Sequence, residues 1–239
     1  MQLKGNTYTF VFALIVCVIC SFSLAAVSRS LKPRQELNFA MDIKKNILKA
    51  VGLQEPISPQ ATPHDILEIY NQKIRELVID AQGNVVADMK PEMIKAGDAY
   101  YPLYVYQEGE TVLAYAFPMV GHGLWSTLYG YLALEPDGVT IRGITYYKHG
   151  ETPGLGAEIE KDWFQNNFKG KTIWDIKANE LRPITVAKGP VSNSVQDEYK
   201  AGFYVDGISG ATLTGKGVTE MIARELKKYD PYFSKIRKI

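Results

Sequence analysis

The sequence predicts an α+β protein, with one N-terminal transmembrane helix and a stalk helix followed by a domain that has an antiparallel sheet and flanking helices. Three observations predict it. An uncharged apolar run lies near the start, strand-like segments alternate with tight turns in the middle of the chain, and segments of helical period precede and follow them. At 239 residues, the chain is long enough to bury a substantial core.

The apolar run covers residues 8–27 and contains no charge, Pro or Gly. At about 1.5 Å rise per residue, about 20 residues span a bilayer core of roughly 30 Å, so the run predicts a single-pass anchor. A cleaved signal peptide is the alternative, because Lys4 precedes the run and the small residues around Ala25 resemble a cleavage site. The length of the run and the basic residues after it favour a retained anchor, with residues 1–7 as a cytoplasmic tail.

Residues 28–62 predict a stalk helix and a linker. Apolar residues recur near helical spacing as far as Val51, and Gly52 is a typical helix stop. A linker that contains Pro56 and Pro59 follows. It separates the stalk from the predicted soluble domain.

The soluble domain is predicted to cover residues 63–239. It opens with Thr62-Pro63-His64-Asp65, a typical helix start with a hydroxyl cap, a proline at the first position and an acid in the first turn. Three hairpin-like units then predict a mainly antiparallel sheet. Their paired segments are residues 75–80 with 84–88, 101–107 with 111–117, and 127–134 with 139–149. Two helices are predicted in addition, over residues 157–168 and 214–228.

Charge and cysteine content exclude several classes of function. The 27 basic and 26 acidic residues give a net charge of +1, which does not indicate a nucleic-acid-binding protein. Cys17 and Cys20 are the only cysteines and both lie in the apolar run, so the soluble domain has no thiols for disulfides, zinc or iron–sulfur clusters. The three histidines share no ligand spacing, and no nucleophile, phosphate-loop or dinucleotide motif is present, so we predict neither a metal site nor a catalytic residue.

The most informative motif is a loop of small residues, DGISGATLTG, at residues 206–215. It enters an amphipathic helix, and the free N–H groups and dipole at such a helix start favour an anion. Gly210 and Ala211 let the backbone approach a phosphate. Three residues offer hydroxyl groups: Ser209, Thr212 and Thr214. Simple capping of the helix by Ser209 or Thr212 is the alternative interpretation.

Two further glycine-containing loops stand out. HGETPGLG, at residues 149–156, joins a strand to a helix and can present Leu155 to a ligand, although a Pro-Gly turn with a buried leucine is equally compatible with it. GHGLW, at residues 121–125, carries Trp125. That side chain is suited either to facing a planar ring or to packing in the core.

Taken together, SGATLT, HGETPGLG and GHGLW resemble the covalent FMN-binding domain family of membrane respiratory complexes. The resemblance runs over nearly the full length and is closest to the C subunits of Na+-translocating NADH:quinone oxidoreductases. It implies that FMN is esterified through its phosphate to the last Thr of the motif, which is Thr214 here. It also implies a flavin transferase that attaches the group with FAD as donor.

The resemblance further implies the positions that contact the flavin. The ring would lie against Trp125 and Leu155, with Glu151 and Thr152 near its polar edge. The other implied positions are Leu124, Gly154, Lys188, Ser209, Gly210, Ala211 and Thr212.

The implied function is electron transfer, by a subunit that has no complete active site of its own. It would relay electrons from NADH towards quinone within a sodium-pumping complex. The corresponding subunit of a ferredoxin-linked ion-translocating complex is an alternative, as are a membrane-tethered protein that binds a phosphorylated ligand reversibly and a structural assembly subunit. Expected partners are the other subunits, the flavin transferase and the membrane, and not nucleic acid.

The side of the membrane is predicted differently by two arguments. Arg29, Lys32 and Arg34 follow the anchor, so the positive-inside rule would place the large domain in the cytoplasm. The resemblance implies a periplasmic FMN domain on the bacterial inner membrane. We expect the periplasmic side, because partner subunits can fix the orientation of an anchor.

Overall fold

The computed structural model describes residues 3–53 and 62–237. Its helices are α1 (Leu3–Ala50), α2 (Pro63–Lys73), α3 (Asp162–Asn166), α4 (Val191–Ser194), α5 (Glu198–Ala201) and α6 (Thr212–Phe233). Its strands are β1 (Ile74–Asp80), β2 (Tyr100–Glu108), β3 (Thr111–His122), β4 (Thr127–Leu134), β5 (Ile141–Lys148), β6 (Trp174–Asp175), β7 (Glu180–Leu181), β8 (Thr185–Val186) and β9 (Tyr204–Val205). Short 3₁₀ turns cover Pro91–Met93 and Gly156–Glu160. The predicted α+β class is confirmed.

Helix α1 is one continuous helix that passes through Pro33, where the sequence predicted an anchor followed by a stalk. It is the single described helix that is long and apolar enough to cross a membrane. It ends as predicted at Gly52, whose φ is +86°. The N–H of Gly52 donates to the Lys49 carbonyl and the N–H of Leu53 to the Leu48 carbonyl, which is a Schellman motif.

The chain separates into two compact units, one up to Asp42 and one from Ile43 onward. The last turns of α1 therefore belong to the second unit. Most of the predicted linker, with Pro56 and Pro59, lies outside the described residues. Beyond it, α2 begins as predicted, because Thr62 and Asp65 form a reciprocal capping box and Pro63 is the first helical residue.

The second unit is built on a five-stranded antiparallel sheet in the order β1-β2-β3-β4-β5. Two of the predicted hairpins are confirmed as β2–β3 and β4–β5. The third is confirmed only in part. Residues 84–88 turn back antiparallel to β1 through one bridge, from Val85 to Ile79, and through the Val86 N–H, which donates to the Val78 carbonyl at 2.8 Å. They form no continuous strand, and β1 pairs along its length with β2. The Asp80 carboxylate tightens the turn by accepting the N–H of Asn84, and Asp88 then turns the chain away with φ +59°.

Helix α6 packs across one face of this sheet and closes the main core. The apolar positions predicted for it are buried: Val218, Met221, Ile222 and Leu226. The helix continues beyond the predicted end at residue 228 because Tyr229 and Phe233 are buried as well, with the Tyr229 ring stacked 4.2 Å from that of Phe117. It begins at Thr212, two residues before the predicted start.

The helix predicted over residues 157–168 is wrong. A 3₁₀ turn and the short helix α3 take its place, and they are separated by Lys161 in an extended conformation. Ile159 and Phe164 are both fully buried, although their spacing would put them on different faces of one α-helix. The break at Lys161 allows both side chains to enter the core.

Candidate functional site

The three motif loops meet at one surface cleft. The loop that carries GHGLW joins β3 to β4, HGETPGLG follows β5, and SGATLT leads into α6. The cleft is lined by residues of all three: Leu124, Trp125, Glu151, Thr152, Leu155, Gly156, Gly210, Ala211 and Thr214. Loops that are far apart in sequence are therefore brought together as a single candidate site.

Glu151 is the residue that connects the three loops. Its side chain is buried, and its Oε2 accepts the Thr214 hydroxyl at 2.6 Å and the Leu124 N–H at 3.1 Å. Its Oε1 accepts the backbone N–H groups of Trp125, at 2.9 Å, and Ser126, at 3.2 Å. One carboxylate thus orders the GHGLW loop and fixes it to the first turn of α6. Sequence reasoning placed Glu151 only near a ligand's polar edge.

These contacts also hold Glu151 in its charged form. Burial raises the pKa of a carboxyl group, but the hydrogen bonds from the Thr214 hydroxyl and from the backbone of Trp125, Leu124 and Ser126 outweigh it, and the pKa of Glu151 is lowered. The site therefore contains a fixed negative charge at neutral pH.

Glycines allow this close approach of the loops. A Cβ on Gly123 would lie 2.5 Å from Oε1 of Glu151, and one on Gly156 would lie 2.6 Å from the Thr214 hydroxyl oxygen. A Cβ on Gly217 would lie 2.0 Å from the backbone oxygen of His122, where α6 crosses the end of β3. Larger residues at these positions would force the loops apart.

The HGETPGLG loop places Leu155 at the surface. The Leu155 N–H donates to the Thr152 carbonyl around Pro153 and Gly154, and the φ of +74° at Gly154 is that of a type II turn. The Pro-Gly turn is thus present, but Leu155 is 41% exposed rather than buried. His149 steadies the same loop, since its Nδ1 accepts the Glu151 N–H at 3.2 Å. The sequence did not indicate that His149 stabilises this loop.

The first turn of α6 is not capped by a side chain. Its N-cap residue is Ala211, which has no side-chain oxygen, so capping by Ser209 or Thr212 is wrong as an interpretation of the motif. Ser209 and Thr212 are exposed at the surface. Thr214, in contrast, is 1% exposed, and its hydroxyl is engaged by Glu151. Two threonines of one motif therefore face different surroundings.

A second depression, with a volume of about 360 Å³, borders the same turn. Lys188 and Thr212 line it, as do Leu213 and Lys216, which the sequence did not single out. Lys216 follows Thr212 by one helical turn, and this spacing is the signal that identifies it once the start of α6 is known. Lys188 is held beside the motif because the Gly207 N–H donates to the Gly189 carbonyl.

Trp125, which the resemblance places against the ring together with Leu155, is accessible, and so is its neighbour Leu124. Trp125 is 71% exposed and Leu124 44% exposed, so neither is a core residue. Within residues 3–53 and 62–237, no group of three or more His, Cys, Asp or Glu side chains is placed to hold a metal ion.

Comparison with known proteins agrees with this geometry. Residues 123–227 match the model of the FMN-binding domain family. The chain is 35% identical to the C subunit of the Na(+)-translocating NADH-quinone reductase of Haemophilus ducreyi, over 88% of this chain and 85% of that protein. It is 30% identical to the corresponding protein of Pseudomonas aeruginosa, over 98% of this chain and 97% of that protein.

Among solved structures, the C subunit of the Na(+)-translocating NADH-quinone reductase of Parabacteroides distasonis superimposes with a TM-score of 0.71 at 31% identity, over 85% of this chain and 97% of that one. The similarity to these relatives extends over most of both sequences. The chain therefore belongs to the family of the C subunits of Na(+)-translocating NADH-quinone reductases.

Proposed function

We propose that this chain is the FMN-carrying electron-transfer subunit of a Na+-translocating NADH:quinone oxidoreductase and relays electrons from NADH towards quinone. The observation that carries the proposal is the convergence of the three motif loops on the uncapped first turn of α6. The family membership and the match to the FMN-binding domain support it. Helix α1 would anchor the subunit in the bacterial inner membrane, with residues 63–239 as a periplasmic domain.

The residues around this turn fit an FMN group. An uncapped helix start favours the phosphate, and Gly210, with φ +75°, keeps the approach to it free of a side chain. The exposed apolar side chains nearby suit a flavin ring. When bound, FMN supplies the capacity to accept and release electrons. The chain's own residues bind and orient it, and for electron transfer itself we propose no acid, base or nucleophile among them.

We propose Thr214 as the residue that carries the phosphoester. Of the three hydroxyl-bearing residues of the motif, Thr214 lines the cleft between the loops, whereas Thr212 borders the other depression. The hydrogen bond of 2.6 Å to Glu151 fixes the position of the Thr214 hydroxyl. Because the pKa of Glu151 is lowered, its carboxylate is available to accept the hydroxyl proton when the Thr214 oxygen takes the FMN phosphoryl group from FAD and AMP leaves.

Attachment at this position has two structural requirements. Thr214 is 1% exposed, so the surrounding loops must open, or must not yet have closed, when the flavin transferase acts. The ester would also replace the hydrogen bond to Glu151 by a phosphate beside a carboxylate, so the Glu151 side chain must move away from it. Thr212, which is exposed, needs no such movement and is the competing candidate.

The volumes of the two depressions bear on where the ring would lie. The cleft at Thr214 has a volume of about 30 Å³, too small to enclose a three-ring system, so the ring would rest outside it against the exposed side chains of Trp125 and Leu155. The depression next to Lys188 and Leu213, at about 360 Å³, falls within the range of ligand pockets, roughly 300–1,000 Å³. It is the alternative place for the ring.

Covalent attachment is tested by denaturing gel electrophoresis of the subunit matured with its flavin transferase. We expect in-gel flavin fluorescence at the mass of this chain. A protein that releases its flavin on denaturation would support the reversible binding of a phosphorylated ligand, and one that never acquires flavin would support an assembly role. Copurification with ferredoxin-linked partners instead of an NADH-oxidising subunit would support the ferredoxin-linked complex.

The periplasmic side is tested separately with reporter fusions. Alkaline phosphatase fused after Ile239 should be active in cells, because this enzyme matures outside the cytoplasm. An inactive phosphatase fusion together with an active cytoplasmic reporter at the same position would place the domain in the cytoplasm, as the charges around the anchor suggest.

A further inference from the structure

A third cavity, separate from the cleft and the depression beside α6, lies where the last turn of α1 meets β5 and α3. It has a volume of about 70 Å³, and its polar lining comprises Lys49, Arg142, Asp162, Gln165, Asn166 and Lys169. None of these residues lines the two depressions beside α6. The proposed function therefore leaves this cavity unexplained.

The lining is predominantly cationic. Lys49 pairs with Asp162 at 2.8 Å, and Arg142 pairs through Nη1 with Glu135 at 2.8 Å. Lys169 lines the cavity and is also exposed to solvent, and its ammonium group has no ion-pair or hydrogen-bond partner among the residues that the structure describes. Even with Glu135 included, one positive charge is left over. A negatively charged ligand would balance it.

Arg142 also keeps one donor nitrogen for such a ligand. Its Nε donates to the Val51 carbonyl at 2.6 Å, and its Nη1 donates to the carbonyl of Leu113 and to Glu135. These contacts fix the guanidinium group and leave Nη2 without a hydrogen-bond acceptor in the described part of the chain. Gly52 lies beside this nitrogen, and a Cβ there would be in ordinary van der Waals contact with it, at 3.8 Å. The donor is therefore held in place before any ligand arrives.

Gln165 offers a hydrogen-bond acceptor to a ligand, whereas Arg142 and Lys169 offer donors. It is 6% exposed, and its Nε2 donates to the carbonyls of Ile159, at 3.3 Å, and Glu160, at 3.1 Å, which fixes the orientation of the amide. Its Oε1 is buried and has no hydrogen-bond partner among the described residues. A buried acceptor of this kind is costly when it is left unpaired. The ligand should therefore carry a donor as well as negative charge.

We propose that this cavity binds a phosphate group that bears a hydroxyl donor. The phosphate oxygens would accept from Lys169 and Arg142, and the hydroxyl would donate to Oε1 of Gln165. A cavity of about 70 Å³ holds about six water-sized spheres, enough for the phosphorus and oxygens of one phosphate group. Hydrogen phosphate and singly protonated glycerol phosphate carry such a hydroxyl on phosphorus. In the headgroup of phosphatidylglycerol, which is a phosphodiester, a glycerol hydroxyl would be the donor.

The test is calorimetric titration of the full chain, loaded with flavin so that the FMN site is filled and kept in a non-ionic detergent, with inorganic phosphate, glycerol 3-phosphate and sulfate. We expect saturable binding of one phosphate per chain. Sulfate, which has no hydroxyl at neutral pH, should bind at least about tenfold more weakly. Lys169→Gln and Gln165→Met should each weaken phosphate binding by about tenfold or more.

Two lysines serve as controls. Lys161→Gln removes a nearby lysine that does not line the cavity, and Lys188→Gln removes one at the FMN site, and neither should change phosphate binding. A loss of binding in Lys188→Gln with none in Lys169→Gln would assign the phosphate to the FMN site and overturn the proposal. Circular dichroism shows whether Gln165→Met folds. If it does not, the Lys169→Gln variant and the comparison of phosphate with sulfate test whether the cavity binds phosphate.

The source of the phosphate is resolved in nanodiscs. If phosphatidylglycerol, but not phosphatidylcholine, prevents soluble phosphate from binding, the headgroup is the natural occupant, whereas binding in both lipids indicates a soluble ligand. The absence of saturable phosphate binding in detergent and in phosphatidylcholine, or equal affinity for sulfate, would overturn the proposal.

Discussion

The two sides of the first turn of α6 differ in how far their polar groups are already satisfied. On the inner side, Thr214 is buried and Glu151 accepts four hydrogen bonds from the chain itself. On the outer side, Thr212 is exposed, and Lys188 and Leu213 border an open depression. The inner side resembles a protein core in its contacts, and the outer side resembles a solvent-exposed surface.

Accessibility and positioning are separate requirements for a modified hydroxyl. Thr212 meets the first, because its side chain is open to solvent. Thr214 meets the second, because its oxygen is held 2.6 Å from a carboxylate that can take its proton. A covalent link that must hold a redox group in one place favours the positioned hydroxyl. The two threonines of one six-residue motif can therefore have separate roles.

The largest effect on the inner side should come from Gly217→Ala. Its Cβ would lie 2.0 Å from the His122 carbonyl oxygen, a backbone atom that cannot move away without displacing β3 from α6. We expect the free energy of unfolding to fall by about 3 kcal/mol or more. Gly215→Ala in the same helix is the matched control, because its Cβ would meet a side-chain atom of Val186 at 3.0 Å. Equal losses in the two variants, measured by denaturant titration, would refute this account of the helix–strand contact.

Glu151→Gln should have the next largest effect. The amide retains one acceptor oxygen but turns its NH2 group towards backbone N–H groups, so we expect a loss of about 2–4 kcal/mol at pH 7. Because the pKa of Glu151 is lowered in the folded state, its stabilisation is present above the unfolded value of 4.5 and is lost as the pH falls through the folded value. The wild-type and Glu151→Gln unfolding curves should therefore converge in acid. A constant difference between pH 7 and pH 3 would contradict this assignment.

Glu151 is proposed both to order the loops and to accept the hydroxyl proton of Thr214, and the rate of flavin attachment distinguishes these two roles. Folded Glu151→Gln protein should acquire covalent flavin at least about tenfold more slowly than the wild type, because an amide cannot take the hydroxyl proton of Thr214. In-gel fluorescence during maturation with the flavin transferase measures this rate. An unchanged rate in folded protein would show that Glu151 orders the loops and takes no part in attachment.

Thr214→Val should lower the free energy of unfolding less than Glu151→Gln does. It should also abolish covalent attachment of flavin. The substitution keeps the shape and removes the hydroxyl that donates to Glu151, while the Leu124 N–H still donates to the same oxygen. We expect a loss of about 1–2 kcal/mol in the unfolding free energy of the apoprotein, and Thr214→Ser should recover most of it. A Thr214→Val apoprotein of unchanged stability would show that this hydrogen bond contributes little.

Trp125→Ala probes the exposed surface and should have the smallest effect on folding. The side chain is 71% exposed, so we expect the free energy of unfolding to change by less than about 0.5 kcal/mol. With the ring resting against Trp125, as proposed, loss of the aromatic face should shift the flavin's absorption or its midpoint potential. Leu213→Ala is the matched control in the larger depression. A spectral shift in Leu213→Ala with none in Trp125→Ala would place the ring in that depression instead.

The sequence was sufficient for the elements whose signals are local. The β2–β3 and β4–β5 hairpins follow from their alternating apolar residues and short turns, and the capping box at Thr62 follows from spacing. Residues 84–88 look like a strand, yet a single bridge pairs them with β1 before the backbone turns away at Asp88. The break at Lys161 arises because Ile159 and Phe164 both enter the core, which no local pattern reveals.

The candidate site divides in the same way. Its loops could be found from their glycines and hydroxyls, but the part played by Glu151 could not, because its partners Leu124 and Thr214 are 27 and 63 residues away in the chain. The different exposure of Thr212 and Thr214 depends on where α6 begins and which face it buries. That start lies at Thr212, two residues earlier than its sequence pattern suggested.

The measurement that most directly tests the division between the two sides is peptide mass spectrometry of the flavin-loaded subunit. We predict FMN on Thr214, covalent flavin retained in Thr212→Val, and none in Thr214→Val. The Thr214→Val apoprotein should remain folded, because valine has nearly the same shape as threonine. FMN mapped to Thr212 or Ser209, or retained by the Thr214→Val protein, would contradict the account, since it would place the phosphate on a hydroxyl that Glu151 does not hold.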